Sequence, residues 1–376
     1  MSLSVSLKHR LGAFTLDAQF DAPQGLTVLY GPSGSGKTTI INAVAGLLRP
    51  DHAKITVDGV TLADTGTDST AQPEIGARRT ARRGIWLPPH RRRIGYVFQD
   101  ARLFPHLSVR GNLRYGAWFA PKTAIKPNMD EITEMLGIGH LLGRRPAGLS
   151  GGERQRVAIG RALLAAPQMI LADEPLAALD QARKDEILPY FERLRDALTL
   201  PILYVSHAPS EVARLATTVV ALDAGKVLRA GPAAQVLGDP EVTPMGPRAA
   251  GAMIETRVIA HHADGLTELA MGDLRLLIPR AGGRVGTPLR VHIEAQDVMI
   301  ATRRPDGISA LNVLPATVRE IRIGQGPGAL VQLDADGHII LARVTRRSVK
   351  NLDLCAGQKV FAILKAVSVA KASITG

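Results

Sequence analysis

The chain has 376 residues, 45% of them hydrophobic, enough apolar material for packed domain cores and against bulk disorder. Its net charge is +12, yet only 4% of residues are aromatic, too few for a base-stacking platform, so nucleic acid is not an expected partner. No apolar run reaches the ~18 residues of a membrane span, and the single cysteine, Cys355, excludes an intrachain disulfide.

The start, MSLSVSLKHR, lacks the apolar core of a signal peptide, so a chain kept in the cytosol is expected. Residues 1–60 alternate in short strand-like runs, and LTVLY (26–30) enters a Gly-rich turn. A helix follows, with Ile40, Ile41, Val44, Leu47 and Leu48 on one face and Arg49-Pro50 as its stop. KITVDGVTL has period-two apolar residues around Asp58-Gly59, a hairpin signal. Residues 61–90 lose periodicity, which predicts a mobile insertion. Its arginines (Arg78, Arg79, Arg82, Arg83, then Arg91, Arg92 and Arg93) are expected in a solvated loop beside anionic lipid.

IGYVF (94–98) reads as a buried strand, followed by a helical middle to about residue 146. Residues 150–166 form a helix closed by Pro167, QMILADE a buried strand, 181–198 another helix, PILYVSH a further strand and VVALDAGKVLRAG a hairpin. Over 238–254 the composition shifts to Gly, Pro and Ala, as in a linker. Beyond it, LRLLIPR, LRVHIEA, DVMIA, ATVREIRI, ALVQLDA, HIILARV and KVFAILKAVSVA predict a small β-barrel. The expected division is an α/β domain over 1–237, a linker over 238–254 and an all-β domain over 255–376.

Three motifs carry chemistry. Gly31-Pro32-Ser33-Gly34-Ser35-Gly36-Lys37-Thr38 fits GxxxxGK[ST], in which glycines let backbone N–H groups cradle phosphates at a helix start. Lys37 would reach the β- and γ-phosphates and the Thr38 hydroxyl would ligate Mg²⁺. MILADE ends an apolar strand in Asp173, suited to the Mg²⁺ shell, and Glu174, suited to polarise a water for in-line attack. In LSGGERQRVAIGRAL, Ser150-Gly151-Gly152 opens a second helix with donors facing outward. A second anion-binding helix start in a chain with one phosphate loop predicts nucleotide held between two copies.

These residues resemble the nucleotide-binding domains of ABC transporters, over about residues 3–237. The resemblance implies a P-loop NTPase fold with a helical subdomain, and ATP and Mg²⁺ as ligands. It assigns Gly31, Ser33, Gly34, Ser35, Gly36, Lys37, Thr38 and Thr39 to the nucleotide, and Ser150, Gly151, Gly152 and Glu153 to the signature motif acting in trans. Asp173 becomes a Mg²⁺ ligand with Thr38, and Glu174 the catalytic carboxylate. Gln99 matches the glutamine that touches Mg²⁺ and water and senses the membrane subunit. His207 matches the switch histidine, and Ala178-Leu179-Asp180 the D-loop. Ala178 replaces the common serine or asparagine, and Ala208 the acid that commonly follows the histidine. For adenine stacking, His9 and Phe14 are candidates.

RRRIGYVFQDARLFPHLSVRGNLRYG (91–116) resembles the ATPase subunits of molybdate importers. The implied partners are a second copy of the chain, two membrane-embedded permease subunits and, indirectly, a periplasmic or extracellular substrate-binding protein. The implied place is the cytoplasmic face of a bacterial inner membrane. The resemblance implies molybdate, or tungstate, as the cargo, with sulfate, iron or another solute as the alternative. SALNVLPA (309–316) and LKAVSV (364–369) resemble a MOP/TOBE-type, OB-like barrel. That resemblance makes Ser309, Asn312, Lys365 and Ser368 candidate oxyanion ligands, although Leu311 stands where a basic residue is usual. The same features would suit an oxyanion-sensing ATPase. An ATPase acting on nucleic acid or ribosomes would more often carry two phosphate loops.

Overall fold

The computed structural model describes residues 2–66, 84–118, 120, 124, 127–177, 179–239, 242, 250–324, 326–369 and 374–375. In chain order these form β1 (Leu3–Leu11), β2 (Phe14–Ala22), β3 (Leu26–Tyr30), α1 (Lys37–Ala45), β4 (His52–Val57), β5 (Val60–Asp64), β6 (Ile85–Trp86) and β7 (Ile94–Val97). There follow α2 (Val109–Trp118), α3 (Met129–Met135), α4 (Gly151–Leu164), β8 (Met169–Asp173), α5 (Gln181–Ala197), β9 (Ile202–Ser206), α6 (Pro209–Leu215), β10 (Thr218–Asp223), β11 (Lys226–Pro232) and α7 (Ala233–Leu237). The remainder is β12 (Gly251–His261), β13 (Leu266–Met271), β14 (Leu274–Pro279), β15 (Pro288–Glu294), β16 (Met299–Ala301), β17 (Asn312–Ile323), β18 (Gly328–Ala335), β19 (His338–Thr345), α8 (Arg346–Asn351), β20 (Lys359–Leu364) and β21 (Ile374–Thr375). The chain divides into two compact units, residues 1–207 with 220–230, and residues 208–219 with 231–376.

In the first unit the sheet order is β6-β5-β4-β1-β2-β11-β10-β3-β9-β8-β7. β3, β9, β8 and β7 are mutually parallel, with Tyr30 opposite Ser206, Asp173 opposite Val205 and Val97 opposite Ala172. Every residue of β3 and β9 is buried, so these strands are apolar runs without alternation. At the other end β1, β2, β4 and β5 pair antiparallel, and there the pattern alternates, as in β2. α1 buries Ile40, Ile41 and Val44 against Leu171, Leu203 and Leu29, each worth roughly 2 kcal/mol of transfer free energy. It stops at Gly46, in the left-handed region, so Leu47 falls off the expected face and is 56% exposed.

The Arg-rich segment departs from expectation. Arg78, Arg79, Arg82 and Arg83 lie outside the described residues, and Arg92, at the segment's end, is only 1% exposed. Its guanidinium donates to Ala43 O and Val44 O at 2.8 Å, and to Leu87 O at 2.8 Å, capping the last turn of α1. It also lies 4.4 Å from the centre of the Trp86 ring. Gly46 is required beneath it, since a Cβ there would stand 2.6 Å from Arg92 Nε. A buried guanidinium without a carboxylate is costly, and burial lowers its pKa to about 10. The carbonyls at the negative end of the helix dipole offset that cost. Arg93 donates to Ala166 O at 3.2 Å, while Arg91 is exposed as expected.

The second unit holds two five-stranded sheets, β14-β13-β12-β15-β21 and β16-β20-β17-β18-β19. The second curls until its edge strands β16 and β19 come together, and Val291, Ile293, Val331, Leu333 and Ala362 join the two sheets in one core. β12 begins at Gly251, inside the stretch read from composition as a linker to residue 254. The segment KAVSV (365–369) forms a turn of 3₁₀ helix, where a strand was expected. Cys355 is an exposed free thiol.

Two measurements follow. Arg92→Met leaves three backbone carbonyls without their donor and should cost about 2–4 kcal/mol, whereas Arg91→Met should stay within about 0.5 kcal/mol. Denaturant melts of the two variants check this. His292 on β15 is buried, and desolvation lowers its pKa from 6.5 to about 4. A depressed folded pKa gives stability that is whole above pH 6.5 and is lost as pH falls towards 4, on the order of 3 kcal/mol. Protection factors of the amides across β12–β15, corrected for the intrinsic exchange rate at each pH, should fall over that window, and His292→Leu should remove that fall.

Candidate active site

The site is assembled by the four parallel strands, whose C-terminal ends share one edge of the sheet. After β3 the chain turns through the phosphate loop, with Gly34 and Gly36 at φ 81° and 101°. Gly31 permits a close backbone approach, since a Cβ there would lie 2.2 Å from Leu222 O. Lys37 is 4% exposed and curls over the loop, donating to Gly31 O at 2.8 Å and Pro32 O at 2.7 Å. Burial lowers its pKa, and the fields of Glu174 and Asp173 oppose that shift. Ser35 is buried beside it, Ser33, Gly34 and Thr38 are exposed, and Thr39 is half-buried. Thr38 is the second residue of α1, so its hydroxyl stands at the helix start, where anions and their counter-cations collect.

β8 delivers the carboxylates. Asp173 ends the strand, and desolvation raises its pKa, a shift that Glu174 increases and that the Tyr96 hydroxyl and Lys37 oppose. The Tyr96 hydroxyl, on β7, lies 3.3 Å from Asp173 Oδ2 and 3.1 Å from Asn42 Oδ1 on α1. Among the described residues no Lys or Arg reaches salt-bridge distance of Asp173. A half-desolvated carboxylate without a bonded cation, beside a helix start bearing Thr38, fits a hard divalent ion with oxygen ligands. Glu174 takes the left-handed conformation at φ 44°, a cost of roughly 1 kcal/mol for a non-glycine residue. Its N–H donates to Val205 O at 3.2 Å, and its carboxylate lies 3.3 Å from Nδ1 of His207, at the end of β9. Gln99 follows β7 and is exposed. β3, β9, β8 and β7 thus present Lys37, His207, Asp173 with Glu174, and Gln99 in that order along one edge.

The remaining expected residues occupy helix starts. Ser150 caps α4 in a reciprocal box: its hydroxyl accepts from Glu153 N at 3.2 Å and Glu153 Oε2 accepts from Ser150 N at 2.7 Å. That bond holds the Glu153 carboxyl below the usual range. Glu153 is therefore a cap of its own helix, and the outward donors are the first-turn N–H groups of Gly151 and Gly152. Asp180 caps α5, accepting from Arg183 N at 2.9 Å. Ala178 lies outside the described residues. Of the adenine candidates, His9 Nδ1 is 3.1 Å from Asp51 Oδ2, and Phe14 packs beside Gly36.

Among the oxyanion candidates, Asn312 departs from expectation. Asn312 is 1% exposed, and its amide accepts from Leu277 N at 2.7 Å and donates to Leu277 O at 2.8 Å, clamping β17 to β14. Ser368 lines a cavity of about 30 Å³ with Glu294 and Asp297, whose charges oppose a dianion. Ser309 and Lys365 are exposed. Tyr96 and Asn42 were not expected from sequence; the signal was in IGYVF, where Tyr96 is the residue facing away from buried Gly95 and Val97.

Residues 17–177 match the ABC transporter family, and residues 308–370 the TOBE domain. The chain is 52% identical over 375 residues to the molybdenum import ATP-binding protein ModC of Mesorhizobium japonicum, covering 99% of this chain and 97% of that protein. It is 51% identical over 371 residues to the protein of the same description from Rhizobium meliloti, covering 98% and 99%. Among solved structures it is similar to cbiO1 from Clostridium perfringens, part of the ABC transporter complex cbiONQ. There the TM-score is 0.50 at 25% identity, over 64% of this chain and 92% of that one.

Proposed function

This chain belongs to the molybdenum import ATP-binding proteins of the ABC transporter family, and on that premise we propose how its residues hydrolyse ATP to energise molybdate uptake. Two copies meet head to tail, each ATP lying between the phosphate loop of one and the helix start at Ser150, Gly151 and Gly152 of the other. The backbone N–H groups of residues 33–38 bind the β- and γ-phosphates, and Lys37 leaves the carbonyls of Gly31 and Pro32 to neutralise them. Mg²⁺, held by Thr38 and Asp173 with Gln99 alongside, would neutralise charge on the phosphate oxygens. Glu174 orients a water and accepts its proton as the water oxygen bonds the γ-phosphorus and the bond to the bridging oxygen of ADP breaks. His207, 3.3 Å from Glu174, keeps that carboxylate aimed and approaches the γ-phosphate.

Hydrolysis removes the γ-phosphate that both copies grip, so the pair opens. Two permease subunits in the inner membrane, contacted from the cytoplasmic face, convert that motion into transport of cargo presented by a binding protein. The observation that carries the catalytic reading is the ordered row of Lys37, His207, Asp173, Glu174 and Gln99 on one sheet edge. The cargo rests on near full-length identity to molybdenum import proteins.

Glu174→Gln should bind ATP with unchanged affinity and dimerise, while phosphate release falls on the order of 100-fold or more. Normal turnover in that variant would remove Glu174 from the mechanism. In proteoliposomes carrying the permease subunits, ATP-driven uptake of molybdate but not sulfate should depend on the wild-type chain; sulfate uptake would overturn the cargo.

A further inference from the structure

The loop that carries Gln99 is gripped by the helix that carries Ser150. Arg161 on α4 donates from Nη1 to Arg102 O at 2.8 Å and from Nη2 to Ala101 O at 3.1 Å. Six residues earlier on the same helix, Gln155, 3% exposed, donates from Nε2 to Phe98 O at 3.2 Å. Three carbonyls flanking Gln99 are therefore bonded to two side chains of one helix. The loop's own geometry leaves it little slack. Arg102 takes a left-handed φ of 45° and lays its guanidinium 4.2 Å from the Phe98 ring, which stacks on Tyr96 at 4.1 Å. At its far end Phe104 is held by Asn112 of α2, which is fully buried, accepts from Phe104 N at 2.8 Å and donates to Phe104 O at 3.1 Å.

We propose that Arg161 and Gln155 are positioning residues that make the loop of Gln99 and the helix start at Ser150 move as one body. An α-helix is stiff along its axis, and Arg161 sits about 16 Å from Ser150 at 1.5 Å per residue. A shift of the loop is thus carried to the helix start, and a shift of the helix start is carried back to Gln99. Neither side chain touches nucleotide; each acts through the backbone it holds. Arg161 suits the task because its planar fork spans two successive carbonyls, which a lysine ammonium cannot do with the same fixed direction. Burial lowers the pKa of Arg161, as expected of a guanidinium bonded to carbonyls and removed from water.

The inference rests on the ATPase reading, and the wild-type chain separates the two: a wild type without ATP turnover overturns both. The test compares Arg161→Met, Arg161→Lys and Gln155→Leu in the full chain. It reads kcat and KM for ATP, melting temperature, and amide exchange over residues 98–107 and 150–156. In Arg161→Met, exchange should rise in both segments and kcat should fall on the order of tenfold. KM should stay within about twofold, because the phosphate loop is untouched. Arg161→Lys should recover part of kcat. A loss confined to melting temperature, or kcat and KM falling together without the paired change in exchange, overturns the proposal. If Arg161→Met does not fold, Gln155→Leu decides, since it keeps the side-chain volume: unchanged kcat and exchange in that variant also overturn it.

Discussion

Everything at the site depends on four strands running in the same direction. Parallel strands cannot be joined by tight turns, so each of β3, β9, β8 and β7 must end at the same edge and hand the chain to a helix or loop there. Residues one or two places beyond β7, β8 and β9, and Lys37 at the end of the loop that follows β3, are then brought to one edge, however far apart they lie in sequence. Lys37, His207, Glu174 and Gln99 owe their proximity to that register. The same requirement explains why β3 and β9 are buried on both faces and read as unbroken apolar runs.

The price of the arrangement is electrostatic and steric. Asp173 and Glu174 are successive carboxylates at a half-buried edge, where burial and then the charge of Glu174 raise the cost of ionising Asp173. Lys37 is the only cationic group that the phosphate loop brings under them, and it is itself desolvated. The edge therefore favours a ligand that brings its own divalent cation with its phosphates. Glu174 also carries a strained backbone, which fixes where its carboxylate emerges.

Much of this was legible in the sequence because it is local. The phosphate loop, the strand ending in Asp173, and Ser150 before a helical run are short patterns, each with one physical meaning. Gln99 and His207 were legible only through a family resemblance, because a lone glutamine or histidine has no pattern of its own. The failures share a cause in contacts distant along the chain. Arg92 looked like one more solvated charge, and only the fold puts three carbonyls around it. Asn312 looked like a ligand, and only the pairing of β17 beside β14 shows that its amide is spent on Leu277. The early start of β12 was hidden by Gly, Pro and Ala, which composition alone reads as a linker.

The chain path between the two compact units crosses more than once. It leaves the first unit directly after His207, gives residues 208–219 to the second, returns for residues 220–230 and then departs for good. Units joined by one crossing can be shuffled between genes as separate beads. Here a recombination point at any single residue would strip one unit of a segment it packs around: α6 is seated against β15, and α7 against β12. A single cut in the chain therefore cannot release either unit whole.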